Sequence, residues 1–357
     1  MKEKNKSLIK KLIYCVIFFF TLALVATACS IESKNVNRKE KPNEVVLTLS
    51  AYSVVKEALE GEVIPAFQKY WLEEKGEQVT IRQSYGPSGA QARAIVGGLR
   101  ADIAFLALEN DMNLIAEKGL ITEPWKERNY GGMVTHSLVA IGVRPGNPMG
   151  IQDWSDLTQE GIEVIYPSPR TSGGAMWIIN AIYGSALIES ETATGEPDSQ
   201  KALQRLQAIQ ERVRVMDKSA RESMTTFEQG LGHLIVTYEN ELLLRNREEK
   251  LYDIVYPKAT IRIENPIAII DKNVDRKGNR EVAEAFLDYL WSEEAQQILA
   301  TYGFRPVHEE VIKARKDQYV EPELLFSIDY LGGWDEVRKN LFGPHGAWTQ
   351  IIESKGR

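Results

Sequence analysis

Tyr166-Pro-Ser-Pro-Arg-Thr-Ser-Gly-Gly-Ala175 carries the chain out of an apolar run, Ile162 to Tyr166, and into a helical pattern that begins at Ala175. Ser172 stands at the N-cap position, and Gly173 and Gly174 follow it without side chains. Met176, Trp177, Ile178, Ile179, Ala181 and Ile182 then supply the apolar helix. The first turn of a helix leaves backbone N–H groups unpaired and carries the positive end of the macrodipole. Glycines there let an anion approach the backbone, so the stretch suits a small oxyanion. An ordinary capped helix reads the same way, and one junction does not separate the two.

The junction recurs. In Gln83-Ser-Tyr-Gly-Pro-Ser-Gly-Ala90 a strand, Val79 to Gln83, enters a turn, and Ser88 and Gly89 open a helix running to about Leu99. In Leu49-Ser-Ala-Tyr-Ser-Val54 a strand, Val45 to Leu49, is followed by Ser53 and a second helical pattern (Val55, Ala58, Leu59, Val63, Ile64, Phe67). Three strand–Ser–helix junctions fall at the carboxyl ends of strands, where open α/β sheets bind ligands.

Residues 1–28 read as a targeting segment, outside the fold. Lys2, Lys4, Lys6, Lys10 and Lys11 precede an apolar core, Leu12 to Val25, that is short for a membrane span. Ala26-Thr27-Ala28-Cys29 is similar to a bacterial lipoprotein signal, in which the cysteine becomes the lipidated first residue. Ala26 stands where that signal usually has Leu. Secretion with cleavage nearby, or an uncleaved anchor, would look alike; a lone cysteine in an exported chain favours lipidation. Cys15, the only other cysteine, lies in the targeting segment, which leaves no internal disulfide. Residues 29–44 read as a flexible tether. Without residues 1–28 the formal charge of −7 becomes −11, since five Lys and one Glu leave with them. Such acidity argues against nucleic acid as a partner, and it requires any anion site to work through local dipoles.

The remaining chain suits one large or two medium domains. Short β-rich runs alternate with helical patterns, which predicts an α/β fold with largely parallel sheets. Strands are expected at 45–49, 79–83, 102–107, 137–143, 162–166, 212–216, 233–238, 253–256 and 267–270. Helices are expected at 201–211, 282–291 and 293–302. Pro145-Gly146-Asn147-Pro148 and Glu264-Asn265-Pro266 read as punctuation around a middle block. A domain whose halves flank another needs two chain crossings, the anatomy of a hinge.

Several ordered motifs resemble the sulfate-binding proteins of bacterial ABC importers. They are Thr80-Ile-Arg-Gln-Ser-Tyr-Gly-Pro-Ser-Gly89, Ala101-Asp-Ile-Ala-Phe-Leu-Ala-Leu108, Val143-Arg-Pro-Gly-Asn-Pro148, Thr171-Ser-Gly-Gly-Ala175, Ser219-Ala220-Arg221, Glu239-Asn240-Glu241, Phe304-Arg305-Pro306 and Gly332-Gly333-Trp334. The resemblance spans residues 46 to about 350. It implies a two-lobed periplasmic-binding-protein fold of type II. Each lobe is then a mainly parallel sheet flanked by helices, with the ligand in the cleft between lobes. The lobes would be 45–135 with 266–357, and 136–265. It further implies a dehydrated sulfate held by backbone N–H groups at Ser53, Ser88, Gly173, Gly174 and Ala220, by the Ser172 hydroxyl, and by the residue at position 238, with no salt-bridging cation. Two positions depart from the family pattern. Ser53 replaces its aspartate and adds a hydroxyl. Tyr238 replaces its indole donor, exchanging N–H for a shorter-reaching O–H, which leaves molybdate, tungstate and thiosulfate as alternatives to sulfate.

The residues offer no competing chemistry. His136, His233, His308 and His345 do not pair at metal-ligand spacing, and no nucleophile elbow is present. No enzyme activity, metal or cofactor is expected. Glu239 and Glu241, two apart, do not share a helix face and read as a bracing helix start. Arg93, Arg170 and Arg221 lie near the serine loops, and the resemblance places them behind the ligand or on the surface. Trp177, one turn beyond the glycines, is placed to report on closure. The expected protein is a monomeric, lipid-anchored, extracytoplasmic receptor that serves the permease subunits of an ABC importer, or an oxyanion sensor uncoupled from transport. Cys29→Ser is expected to move the protein from the membrane fraction to the soluble one. Mass spectrometry that found an unmodified native N-terminus cleaved elsewhere would contradict the anchor.

Overall fold

The computed structural model describes residues 44–355; the targeting segment, Cys29 and residues 29–43 of the tether lie outside the described residues. β1 (Glu44–Tyr52) pairs parallel with β2 (Gln78–Gly86) on one side and with β3 (Ile103–Phe105) on the other. Helical residues 53–63 lead from β1 into α1 (Ile64–Lys75), which stops where Gly76 takes a left-handed conformation. α2 (Ser88–Val96) follows β2, and α3 (Glu109–Glu117) follows β3.

β4 (Met133–Val143) then leaves for a second sheet. That sheet is built from β5 (Val164–Ile165), α4 (Gly173–Thr194), α5 (Ser199–Arg212), β6 (Val213–Val215), α6 (Ala220–Glu228), β7 (Leu234–Tyr238), α7 (Glu239–Arg245) and β8 (Asp253–Val255). β5 lies parallel between β6 and β7, while β7 and β8 pair antiparallel with the outer half of β4. The chain returns along β9 (Ala259–Ile269), whose last three residues pair antiparallel with β3. The inner halves of β4 and β9 pair with each other, Met133–Leu138 against Arg262–Pro266. This antiparallel pair joins the two lobes. The β1–β2, β1–β3, β5–β6 and β5–β7 pairs are parallel and the pairs made by β4 and β9 with β3, β7 and β8 are antiparallel, in keeping with the expectation of mainly parallel sheets.

Glu264-Asn265-Pro266, expected as punctuation at the edge of the middle block, lies inside β9. Proline cannot donate to a ladder. Pro266 sits opposite Met133, where the register of the pair shifts, and its carbonyl accepts from Leu106. The irregularity absorbs the missing N–H, so the strand continues.

α8 (Asp271–Lys277), α9 (Arg280–Leu290) and α10 (Glu293–Thr301) cover the first sheet. α9 buries Val282, Ala283, Phe286, Leu287 and Leu290, a helical stripe, and Phe286 meets Phe67 of α1 edge-on at 4.9 Å. The chain then adds β10 (Arg305–Pro306) to β4, continues through α11 (Glu309–Ala314), and adds β11 (Leu324–Phe326) to β9. α12 (Gly333–Val337) and α13 (Ala347–Lys355) end the described chain. Although residues 266–357 read as first-lobe sequence, α13 packs on α5, and Trp334 stands edge-on to Trp177 of α4 at 4.7 Å.

Asn265 joins three segments at the middle of the crossing pair. It is fully buried, donates to the Ala107 carbonyl at 3.1 Å, and accepts from Thr135 Oγ1 at 3.1 Å. Replacing it leaves buried partners unmet. Asn265→Ala is expected to lower stability by about 1–3 kcal/mol in chemical denaturation; an unchanged midpoint would refute this role.

Candidate ligand site

Four helical segments begin at one point between the lobes. Each follows the carboxyl end of a strand: β1 leads to Ser53, β2 to Ser88, β5 to Gly173, and β6 to Ala220. Ser53, Ser88, Gly173, Gly174 and Ala220 occupy opening positions of helical turns, whose N–H groups have no intrahelical acceptor. These five residues, with Ser172 and Tyr238, line one cavity of ≈ 10 Å³ together with Tyr52, Val54, Pro87 and Ala107. The cavity is small and suits a compact group. All seven residues singled out in the sequence are therefore neighbours, although they come from segments up to 185 residues apart.

Ser172 caps α4 as expected. Its hydroxyl oxygen accepts from the Ala175 N–H at 3.4 Å, while its own N–H donates to the Ser168 carbonyl. The hydroxyl proton is left for another acceptor. Ser88 differs: its Oγ donates to Asp111 Oδ2 at 2.6 Å and accepts from the Ala107 N–H at 2.9 Å. Only the Ser88 N–H remains to face the cavity. Tyr238 is buried, and its hydroxyl has no hydrogen-bond partner. Burial, with Tyr52 and the Glu241 and Asp111 carboxylates nearby, holds its phenol far above the usual range, so the O–H stays a donor. Tyr52 lies beside it, with ring centroids 6.4 Å apart, and burial raises its phenol likewise.

Both glycines are needed for space. A Cβ on Gly173 would lie 2.6 Å from Leu108 Cδ2 and 2.9 Å from Ala107 Cβ, both in the opposite lobe. A Cβ on Gly174 would lie 2.6 Å from Tyr238 Cε2 and 3.1 Å from its hydroxyl oxygen. Trp177 adds a second link across the lobes by donating Nε1–H to the Ala107 carbonyl at 2.8 Å.

Among the described residues, no Asp, Glu, Lys, Arg or His side chain lines the cavity. Charges stand one step behind it. Asp111, raised to about 6 by burial against the pull of Ser88 and Arg93, orients the Ser88 hydroxyl. Arg93 donates to the Arg170 carbonyl at 3.3 Å. Arg221 reaches the Val54 carbonyl at 3.3 Å, Glu57 at 2.5 Å and the buried Glu241 at 2.9 Å. Glu222 accepts from the Lys218 N–H, and Glu239 forms a two-point pair with Arg305 at 2.7 and 3.0 Å. Neither carboxylate is an acceptor for the cavity. Tyr52 and Ala107 were legible only as a strand end and a buried run. Asp111 gave no signal, since a lone acidic residue in a first helical turn is ordinary.

Residues 47–305 match the family of bacterial extracellular solute-binding proteins. A sulfate-binding protein of Synechococcus elongatus is 40% identical over 87% of this chain and 87% of its own length. A thiosulfate-binding protein of Pseudomonas aeruginosa is 36% identical over 84% of this chain and 90% of its own. The solved sulfate-binding protein SubI of Mycobacterium tuberculosis superposes with a TM-score of 0.75 at 34% identity, covering 84% of this chain and all of that one. The chain belongs to the bacterial extracellular solute-binding proteins, in the family of the sulfate-binding proteins.

Gly173→Ala is expected to hold the lobes apart. Overpacking at this level costs about 1–3 kcal/mol, borne by the closed state, so ligand affinity should fall about tenfold or more. Calorimetry giving wild-type affinity would show that the Gly173 contact is not part of closure.

Proposed function

We propose that the chain is a receptor that binds sulfate in this cavity outside the cytoplasm and delivers it to an ABC importer. The observation that carries the reading is a compact cavity lined by backbone N–H groups and neutral hydroxyls, without one charged side chain. Fully ionised sulfate accepts hydrogen bonds only, so such a lining can satisfy it. Each bond to a charged group is worth about 1.5–3 kcal/mol net. Several reach micromolar affinity, about −8 kcal/mol, after desolvation and closure. Phosphate near neutrality keeps a proton that needs an acceptor, and a cavity without a carboxylate leaves it unpaired. The named ligands of the sulfate-binding relatives support the same choice.

In this reading Ser53, Ser88, Gly173, Gly174 and Ala220 give backbone N–H groups, and Ser172 and Tyr238 give hydroxyls. The first lobe holds residues 45–135 and 266–357, and the second holds 136–265. The receptor works as a monomer, anchored through a lipid on Cys29, and catalyses nothing.

Isothermal titration with sulfate, thiosulfate, molybdate, tungstate and phosphate tests the proposal. Sulfate is expected to bind tightest and phosphate not measurably. Ser172→Ala and Tyr238→Phe should each weaken sulfate by about 1.5–3 kcal/mol, roughly 10- to 100-fold, without abolishing binding. Ser168→Ala removes only the 3.4 Å contact from the Arg170 N–H to its hydroxyl and keeps the carbonyl that serves Thr171 and Ser172, so it should match wild type. Wild-type sulfate affinity in both site variants would remove the hydroxyls from the ligand; a stronger preference for molybdate would move the receptor to the larger anions.

A further inference from the structure

Among the described residues, the buried hydroxyls of Ser50, Tyr52, Thr237, Tyr238 and Tyr289 meet no protein group. Of these residues, Tyr52 and Tyr238 line the oxyanion cavity. They come from opposite lobes, with ring centroids 6.4 Å apart. Tyr238 stands in the donor set already described; Tyr52 does not.

Tyr52 is the last residue of β1 and precedes Ser53, whose N–H opens the first helical turn. Its side chain is 2% exposed, and its ring meets Phe105 edge-on at 5.5 Å. Packing fixes the ring, so the hydroxyl proton is left to turn about the C–O bond. Burial, opposed by Thr135 and reinforced by Glu241, holds the phenol far above its usual range, so the group remains O–H. Thr135 stands beside it without bonding geometry and gives its own proton to Asn265 at 3.1 Å. A buried hydroxyl left unmet costs free energy, and this cavity wall carries two. An acceptor-only anion meets both. The lobes also contribute unequally without Tyr52. The first gives the N–H groups of Ser53 and Ser88, while Ser172, Gly173, Gly174, Ala220 and Tyr238 serve from the second.

We propose that Tyr52 is a further ligand-binding residue of the oxyanion site, donating its phenol O–H to the anion from the first lobe. The assignment rests on the sulfate reading of the cavity. The two phenols reach the anion from opposite lobes, so both bonds exist only in the closed form. Losing one of them therefore speeds release more than it slows capture.

Tyr52→Phe keeps the ring against Phe105 and removes one oxygen that no protein group holds. Denaturation of the ligand-free variant should give a midpoint at or above wild type, whereas deleting a bonded hydroxyl lowers it. Calorimetry on the full-length chain in detergent should show sulfate bound about tenfold more weakly or worse, the loss of one hydrogen bond to a charged acceptor. Stopped-flow measurement should place most of that factor in dissociation. The double variant Tyr52→Phe with Tyr238→Phe should bind more weakly than either single variant. Wild-type sulfate affinity in Tyr52→Phe overturns the proposal, and a lowered ligand-free midpoint with that affinity would assign the hydroxyl to Thr135. A double variant no weaker than Tyr238→Phe alone also overturns it, since Tyr52 would then act through Tyr238. Ser172→Ala separates this inference from the reading beneath it. If Ser172→Ala weakens sulfate and Tyr52→Phe does not, the cavity binds sulfate without Tyr52. If neither substitution changes sulfate binding, the cavity reading falls and the role of Tyr52 with it.

Discussion

Four helical turns that start at one buried point impose the constraint on which this structure depends. The opening N–H groups of such turns have no partner in their own helix, and a buried backbone donor left unpaired costs free energy. Ser53, Ser88, Gly173, Gly174 and Ala220 bring that debt to a single cavity of ≈ 10 Å³. Separated lobes leave these groups to water. Closed lobes need an acceptor with several lone pairs in different directions, which a tetrahedral oxyanion supplies. In the proposed reading ligand binding and closure are one event, because neither half of the donor set satisfies the anion alone.

The absence of a cation in the lining follows from what a buried charge requires. A guanidinium in the cavity would need desolvation and would bind any anion. Arg221 and Arg93 instead engage carbonyls and carboxylates at the rim. Glu241, fully buried, is flanked by Arg221 at 2.9 Å and Arg245 at 3.0 Å, so its charge is met inside the second lobe. Arg221 then continues to Glu57 and the Val54 carbonyl in the first. These pairs are weak evidence for stability; their geometric effect is to align Ser53 and Ala220, the residues beside Val54 and Arg221. Asp111 acts in the same way on Ser88, accepting its hydroxyl and leaving its N–H for the cavity.

The joining pair meets the cavity wall at few residues. Ala107 is the junction. Its N–H donates to Ser88 Oγ, and its carbonyl accepts from Trp177 of the second lobe and from Asn265 of β9. Through Ala107 the joining pair is hydrogen-bonded directly to the cavity wall. The final segment adds a further brace, with Trp334 against Trp177 and Arg338 within 3.9 Å of Glu117 on α3.

Much of this was legible in the sequence because its signals are local. A strand, a serine, a glycine pair and a helical stripe lie within ten residues, so the donors at Ser88, Ser172, Gly173 and Gly174 could be read without knowing the fold. The same holds for α9 and α10, whose stripes give their own faces. What the sequence left undecided depends on distant partners. Pro266 reads as punctuation until the irregular register opposite Met133 explains how a strand tolerates it. Tyr238 reads as a substitution until burial shows its hydroxyl without a partner beside Gly174. Residues 324–355 read as a continuation of the first lobe, yet their apolar side chains find their partners on α4 and α5. Backbone chemistry at a helix start is fixed within one turn. Which helix starts share a cavity, and which charges are kept out of it, is set by strand order and by contacts more than a hundred residues apart.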